Sequence, residues 1–217
     1  MKKLLSIVLF FAVFVLSACG GGTNDVESTA EILQNKETLT ESSAETSGSE
    51  QKKLENDGKS VVVYFSCTGN TKTVAEEIAK QTGADIYEII PEQPYTDEDL
   101  NYSNDNCRAN IEMNDETARP AISGSLENID SYEKLYIGYP IWWGTMPKIM
   151  NTFFDTYDLS GKTLLPFCTS GGSGIDRSVE DIRTLEAGAD VKNGLQISGS
   201  YSNNCESDVA KWLEDNK

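Results

Sequence analysis

The hydrophobic positions of this chain form short apolar runs that alternate with stretches of helical periodicity. Residues 61–65 are an unbroken apolar run rich in β-branched side chains, which predicts a strand buried on both faces. Val74 and Ile78 then recur at the spacing of one helix face, so a helix is expected up to about Gly83. The same order of strand, loop and helix is repeated towards the C-terminus.

Four further apolar runs predict strands at 84–90, 135–139, 163–168 and 194–200. Pro166 interrupts one of them, which predicts an edge position or a bulge. Helices are expected from Pro147, after Asp176 and near the C-terminus, and a weak helix at 105–117. Alternating strands and helices predict an α/β fold, with a parallel sheet covered by helices on both faces.

The N-terminal part has a different pattern. Residues 1–18 combine a basic start with an apolar stretch too short to span a membrane, which is typical of a signal peptide. Cys19 follows Leu-Ser-Ala and resembles the lipidated cysteine of bacterial lipoproteins, although a plain secretory signal is the alternative. Residues 19–58 are polar and predict a disordered linker. We therefore expect a folded domain at 59–217, outside the cytoplasm and anchored to the membrane by lipid.

The composition excludes several kinds of chemistry. The chain has no histidine, which excludes Ser-His-Asp hydrolysis and histidine zinc sites. The formal net charge of −17 disfavours nucleic-acid binding and favours docking to a basic redox partner. The cysteines other than Cys19 lack CxxC spacing, so no metal site is predicted, and free thiols are favoured over a disulfide.

The loop after the first strand is rich in small hydrogen-bonding residues, which are Ser66, Thr68, Gly69, Asn70 and Thr71. The helix that follows presents unpaired N–H groups and partial positive charge to this loop. Together they suit a phosphate monoester, although an ordinary turn is the alternative. The Walker pattern is absent, and Thr73 stands where a cysteine phosphatase loop would need arginine.

Two later strands run into loops of unusual composition. The third strand leads into Pro140, Ile141, Trp142, Trp143 and Gly144, and the fourth leads into Thr169, Ser170, Gly171, Gly172 and Gly174. Adjacent tryptophans in a loop are costly unless they cover something, and glycines let the backbone approach a ligand closely. In isolation these loops would be a hydrophobic cap and a flexible turn, but beside the first loop they favour a flat aromatic ligand.

The three loops resemble those of the flavodoxin family. The sequence SCTGNT at 66–71 is similar to the family's FMN-phosphate loop, and PIWWG at 140–144 is similar to the second FMN loop of one subgroup. The resemblance implies FMN as cofactor, with its phosphate in the first loop and its ring between the other two. Either Trp142 or Trp143 would stack on the ring. Flavodoxins are themselves the standard example of a doubly wound five-stranded parallel sheet of order 2-1-3-4-5, which is the order expected here.

Three functions compete, in order of preference, and the first two follow from the resemblance. The first is an electron carrier between redox partner proteins, and the second is an FMN-dependent oxidoreductase that passes electrons from a nicotinamide to a quinone or nitro compound. The third is a non-redox interaction lipoprotein. No side chain is singled out as catalytic.

Overall fold

The structure is a computed structural model that describes residues 59–217. The predicted signal peptide, Cys19 and the predicted linker lie outside the described residues. The strands are β1 (Ser60–Tyr64), β2 (Asp85–Glu88), β3 (Ile90–Pro91), β4 (Ile122–Ser123), β5 (Lys134–Pro140), β6 (Thr163–Ser170), β7 (Asp190–Val191) and β8 (Leu195–Ser198). The helices are α1 (Asn70–Thr82), α2 (Arg108–Asn114), α3 (Lys148–Thr156), α4 (Asp176–Leu185) and α5 (Glu206–Asp215), with 3₁₀ helices at Ile129–Ser131 and Gly199–Asn204.

The main sheet is parallel and has the order β2-β1-β5-β6-β7, with β8 also paired to β6. Val62 of β1, for example, lies opposite Ile86 on one side and Tyr136 on the other. The predicted flavodoxin-like fold and its strand order are therefore confirmed. The fifth position differs in detail from the expectation, because two short strands share it.

Pro166 explains why the fifth position is divided. It lies inside β6, which pairs on both sides, so the predicted edge position was wrong. β7 pairs with residues 163–164 and β8 with residues 167–170, and the break between them falls beside Pro166. Since proline has no N–H to donate, the gap between β7 and β8 leaves no N–H of Pro166 without a hydrogen-bond partner.

Alternate residues of β1 enter two hydrophobic clusters, one on each face of the sheet. Val61 and Val63 pack in the cluster that includes residues of α3 and α4. Val62 and Tyr64 pack in the cluster that includes residues of α1 and α5. Each fully buried valine contributes roughly 1.5–3 kcal/mol. This double burial accounts for the unbroken apolar run in the sequence.

The register between β5 and β6 depends on a glycine. Gly138 lies opposite Phe167, and a Cβ built on Gly138 would stand 2.1 Å from the phenyl ring. The ring is fully buried, so it cannot move away into solvent. The absence of a side chain at Gly138 therefore allows β5 and β6 to pair in this register. The register brings the loops at their carboxyl ends next to each other.

The segment between β2 and β5 was the least predictable part of the chain. The expected strand at 84–90 is shorter in the structure, and Ile90–Pro91 pairs instead with Ile122–Ser123 in a separate antiparallel ribbon. The weak helix expected at 105–117 is reduced to Arg108–Asn114. Within residues 59–217, no helix is both long and apolar enough to cross a membrane.

Candidate functional site

Three loops meet at the carboxyl edge of the sheet and enclose a cavity of about 320 Å³. The first loop follows β1, while the second and third begin with the last residues of β5 and β6, because Pro140 still pairs within β5 and Thr169 and Ser170 still pair within β6. The predicted residues that line the cavity are Ser66, Thr68, Asn70, Thr71, Pro140, Ile141, Trp142, Thr169, Ser170 and Gly171. Cys67, Leu100, Tyr102, Gly199 and Ser200 also line it. The cavity lies beside β1 and β5, at the switch in strand order where α/β sheets bind ligands.

The first loop leaves the start of α1 open. Gly69 precedes the helix with φ at +86°, a left-handed conformation that a glycine adopts without strain. Its N–H donates to Ser66 Oγ at 3.2 Å, which tightens the turn. No side chain caps α1, and its first turn holds no acidic residue. The first N–H groups of α1 are therefore free to bind an anion.

A buried pair of hydroxyls joins the first loop to the third. Thr71 Oγ1 and Thr169 Oγ1 lie 2.8 Å apart and share a hydrogen bond. Both side chains are buried. The third loop is also tied to the second, because the Ile141 N–H donates to the Thr169 carbonyl at 2.9 Å. Thr169 therefore holds all three loops in one arrangement.

The second loop is a tight two-residue turn. The backbones of Trp142 and Thr145 exchange hydrogen bonds of 2.9 and 3.1 Å, while Trp143 and Gly144 both have positive φ, 49° and 79°. Turns of this kind demand positive φ at both central positions, which a tryptophan adopts only when its surroundings hold it there. The Thr145 hydroxyl also donates to the Asp181 carboxylate of α4 at 2.5 Å.

The two tryptophans of this turn have different environments. Trp142 is 5% exposed and packs edge-on against Phe65 and Tyr95, with centroids 5.8 and 5.3 Å away. Trp143 is 43% exposed and stands edge-to-face with Tyr102 at 4.9 Å. A second cavity, of about 270 Å³, lies among these aromatic side chains and is lined by Tyr102, Ile141, Trp142 and Trp143.

Tyr102 was not among the site residues predicted from the sequence, yet it lines both cavities and is 51% exposed. The segment that carries it is held by buried Asn110, whose side-chain amide donates to the carbonyls of Tyr102 and Asn104 at 3.2 and 2.7 Å. These contacts join a loop to a short helix, and hydrophobic periodicity in the sequence does not predict contacts of that kind.

Arg108 anchors the same segment to the aromatic side chains. Its guanidinium lies 4.0 Å from the centre of the Tyr95 ring and pairs with Glu112 at 2.6 Å. The Tyr95 hydroxyl donates to the same carboxylate at 2.5 Å. Burial, together with this hydrogen bond, raises the pKa of Tyr95, which keeps the phenol neutral.

The cavity lining combines hydroxyl and amide groups with apolar side chains and carries no charge, since no lysine, arginine, aspartate or glutamate is among its residues. Cys67 lies in the first loop, and burial raises the pKa of its thiol to about 12. A neutral thiol neither repels an anion nor attacks a substrate. In the described part of the chain Cys67, Cys107, Cys168 and Cys205 are all free thiols. Within residues 59–217, no cluster of histidine, cysteine, aspartate and glutamate side chains could hold a metal ion.

Some predicted residues lie beside the cavity rather than on its wall. Gly69 shapes the first loop, and Trp143 lines only the second cavity. Gly144 adjoins Arg177, whose Nη1 would lie 3.9 Å from a Cβ built on that glycine. Gly172 and Gly174 are in open surroundings, and it is the φ of +154° at Gly172, rather than crowding, that favours glycine.

Comparison with known proteins gives a consistent set of likenesses. A family model described as Flavodoxin matches residues 59–216. The chain is similar to the crystal structure of a protein from Bacteroides eggerthii assigned as a flavoprotein, with 41% identity over 73% of this chain and 98% of that chain, and a TM-score of 0.69. A similarly assigned protein from Bacteroides uniformis has 36% identity over 72% of this chain and 98% of that chain, and a TM-score of 0.68.

A third solved structure is that of a flavoprotein from Lactobacillus acidophilus in complex with FMN. Its identity is 24% over 72% of this chain and 99% of that chain, with a TM-score of 0.55, so this likeness shows the fold alone. The comparison with curated proteins gives no match.

Proposed function

This chain belongs to the flavodoxin family, and from that premise we propose that it carries electrons between redox partners on a bound FMN, outside the cytoplasm and anchored to the membrane. The FMN predicted from the sequence is confirmed at the level of the family. The electron-carrier role, the location and the partners are proposals, and the observations that support each of them follow.

The cavity fits FMN on observations of its own geometry. One end has the open N-terminus of α1 with hydroxyls around it, and the other end adjoins the aromatic side chains of Trp142 and Tyr102. A volume of about 320 Å³ falls in the range of small-molecule sites. The residues therefore offer both an anion site and an aromatic site, which a phosphate and a flat ring require.

FMN supplies the redox chemistry when it is bound, and the protein supplies position and electrostatics. The N–H groups at the start of α1 bind the phosphate without a cation, through helix partial charge and hydrogen bonds. The hydrogen bond between Thr71 and Thr169 keeps the wall of the cavity from widening. Buried Trp142 excludes water from the inner side of the aromatic end.

The observation that carries the electron-carrier proposal is the exposed pair Tyr102 and Trp143 at the aromatic end. Both side chains belong to the second cavity, and both present a large part of their surface to solvent. Asp97, Glu98 and Asp105 are exposed nearby in the sequence of the same segment. An acidic, partly aromatic surface next to the ring suits transient contact with a basic redox protein.

The test begins with the absorption spectrum of the purified full chain before and after incubation with FMN and desalting. We expect retained flavin absorption bands, followed by rapid electron transfer from the chemically reduced protein to cytochrome c as a basic probe acceptor. A protein that binds no FMN would overturn the proposal and favour the non-redox interaction lipoprotein. A flavin-loaded protein that does not reduce cytochrome c would overturn the electron-carrier role alone.

The second cavity favours one alternative function, an FMN-dependent reductase of quinones or nitro compounds. Its lining of Tyr102, Ile141, Trp142 and Trp143 could accept a flat apolar molecule beside the ring. Steady-state oxidation of NADH or NADPH in the presence of menadione separates the two functions. Sustained turnover on the enzymatic timescale would favour the reductase, and its absence with cytochrome c reduction intact would favour the carrier.

The proposed location rests on the sequence of residues 1–18 and on Cys19. Stable anchoring by lipid needs more than one acyl chain, which lipoprotein processing supplies. We expect mass spectrometry of the mature protein to find a diacylglyceryl group on Cys19 at its N-terminus. Cys19→Ala should move the protein from the membrane fraction to the soluble fraction, and an unmodified Cys19 in the mature chain would refute the anchor.

A further inference from the structure

The 3₁₀ helix Gly199–Asn204 lies at the phosphate end of the first cavity. Gly199 and Ser200 line that cavity together with Thr68 and Asn70 of the first loop. The segment directly follows β8, so it reaches the same edge of the sheet as the three loops. The three loops predicted from the sequence do not include it.

Gly199 lies between the first and third loops. A Cβ built on Gly199 would stand 3.2 Å from Asn70 Nδ2 and 4.0 Å from the Ser170 carbonyl oxygen. The backbone at this position therefore fills the space that separates the two loops. Any side chain there would push against the Asn70 amide.

Ser202 contacts the Asn70 amide through a hydroxyl whose one proton is shared between two acceptors. Its hydroxyl is almost fully buried, at 2% exposure, and lies 3.3 Å from Asn70 Oδ1 and 3.1 Å from the Gly199 carbonyl oxygen. Oδ1 faces the Ser202 hydroxyl, while the amide nitrogen borders Gly199 and lies 3.4 Å from Thr68 Oγ1. Asn70 therefore presents N–H donors towards the first loop.

Contacts between α1 and the residues that follow the segment hold the segment in place. Gln81 Nε2 donates to the carbonyl of Glu206, two residues after the segment ends, at 3.0 Å. Cys205 is buried in the same hydrophobic cluster as Val74 and Ile78 of α1. These contacts fix the distance between the segment and the helix whose N-terminus binds the anion.

We propose that Gly199–Asn204 is a fourth cofactor-binding loop, which closes the phosphate end of the site and aims the Asn70 amide at a phosphate monoester. In this arrangement Asn70 binds the phosphate, and Ser202 is a positioning residue that acts through Asn70. The inference rests on the proposed binding of FMN. It adds the recognition of the phosphate by a segment outside the three predicted loops.

The test compares FMN with riboflavin, which has the same ring and lacks the phosphate. Calorimetric titration of the full chain should show that Ser202→Ala lowers FMN affinity about tenfold, since Asn70 loses the partner that holds its amide in place and its hydrogen bond to the phosphate weakens. Riboflavin affinity should not change. In an Asn70→Ala background, Ser202→Ala should have no further effect on FMN, because the two residues act as one unit.

Asn70→Asp keeps the test decisive if Ser202→Ala does not fold. This variant keeps the acceptor for Ser202 but replaces the donor nitrogen by a carboxylate oxygen, so we expect FMN affinity to fall by more than about tenfold. Riboflavin affinity should again stay the same. Ser207→Ala, on the exposed first turn of α5, is the matched control and should bind both flavins like the wild type.

The outcomes separate this inference from the proposed function. If the wild type binds no FMN, the proposed function fails and the inference fails with it. If the wild type binds FMN and Ser202→Ala and Asn70→Asp bind it equally well, only the fourth loop is overturned. Equal losses of FMN and riboflavin affinity would also overturn it, because they would indicate a structural role without phosphate recognition.

Discussion

At the scale of single residues, the proposed anion end of the site depends on hydroxyls that hydrogen-bond to one another, to backbone atoms or to the Asn70 amide. Thr71 and Thr169 are the buried example, since each is the hydrogen-bond partner of the other. A buried hydroxyl that loses its hydrogen-bond partner is still shielded from water, and this unfavourable desolvation lowers the stability of the folded state. These two threonines therefore contribute to stability as a pair.

Thr71→Val should destabilise the cofactor-free protein by about 1–3 kcal/mol, because Thr169 is left without a partner. The double variant Thr71→Val, Thr169→Val should regain part of that loss. Denaturant unfolding measures both effects. Thr184→Val, at an exposed position of α4, is the control and should cost less than about 0.5 kcal/mol. A Thr71→Val variant as stable as the wild type would contradict the paired role.

Glu186 gives a prediction for the dependence of stability on pH. Partial burial, with Asp158 and Asp155 nearby, raises the pKa of its carboxyl from 4.5 to about 7. The folded state thus favours the protonated form, so stability falls as pH rises from 4.5 to about 7, and the loss is complete above that range. Glu186→Gln should stabilise the protein above pH 7 by about 1 kcal/mol after allowance for solvent screening. This advantage should disappear at pH 4 in parallel unfolding curves, and a gain independent of pH would contradict it.

At the scale of elements, α4 fixes the second loop. The Tyr139 hydroxyl, at the end of β5, donates to Ser178 Oγ at 3.0 Å, and Thr145 donates to Asp181 one turn further along. The side chains at positions 178 and 181 lie on one face of the helix, since they are three residues apart. The helix thereby holds both ends of the loop that carries the two tryptophans.

Asp181→Ala should lower FMN affinity about fivefold to tenfold, because the turn that contains Trp143 loses its anchor. Asp181→Asn keeps a carbonyl acceptor for the Thr145 hydroxyl and is the matched control, so its affinity should stay near that of the wild type. Calorimetric titration with FMN measures both variants. If Asp181→Ala binds FMN like the wild type, α4 does not position the turn.

The predictable features of the fold were those written locally in the sequence. Residues 61–65 predicted a strand buried on both faces, and residues 66–71 predicted a hydroxyl-rich loop before a helix, because strand, loop and helix are adjacent in the chain. The binding of a phosphate by that loop stays a prediction. Asp181 and Tyr102 were not predictable as parts of the site, since each reaches it through tertiary contacts. The fifth strand was predicted as one element, because its break depends on Pro166 in the neighbouring strand.

At the scale of the whole molecule, two groups of exposed acidic residues lie in different places relative to the proposed ring site. The formal net charge of −17 attracts a positively charged partner to the chain as a whole. The exposed acids Asp97, Glu98 and Asp105 belong to the segment of Tyr102, next to the proposed ring site. The acids of α5 lie on the helix that packs on the other face of the sheet. Only the first group should steer a partner towards the ring.

Electron transfer to cytochrome c should slow about tenfold or more between about 20 mM and about 500 mM salt, because salt screens the attraction. Asp97→Asn, Glu98→Gln and Asp105→Asn combined should lower the rate at low salt. The control carries three equivalent neutralisations on α5, at Glu206, Asp208 and Glu214, and removes the same net charge. Equal losses in the two triple variants would show that net charge alone, without a docking surface, sets the rate.

The positions of the three tryptophans allow the intrinsic fluorescence of the chain to report two different events. Trp142 and Trp143 adjoin the aromatic end of the site, where a flavin accepts excitation energy from indole rings. Trp212 lies in the hydrophobic cluster of the opposite face, and its indole N–H donates to the Asn193 carbonyl at 2.9 Å. The fluorescence of the first two therefore follows cofactor binding, while that of Trp212 follows loosening of α5 from the sheet.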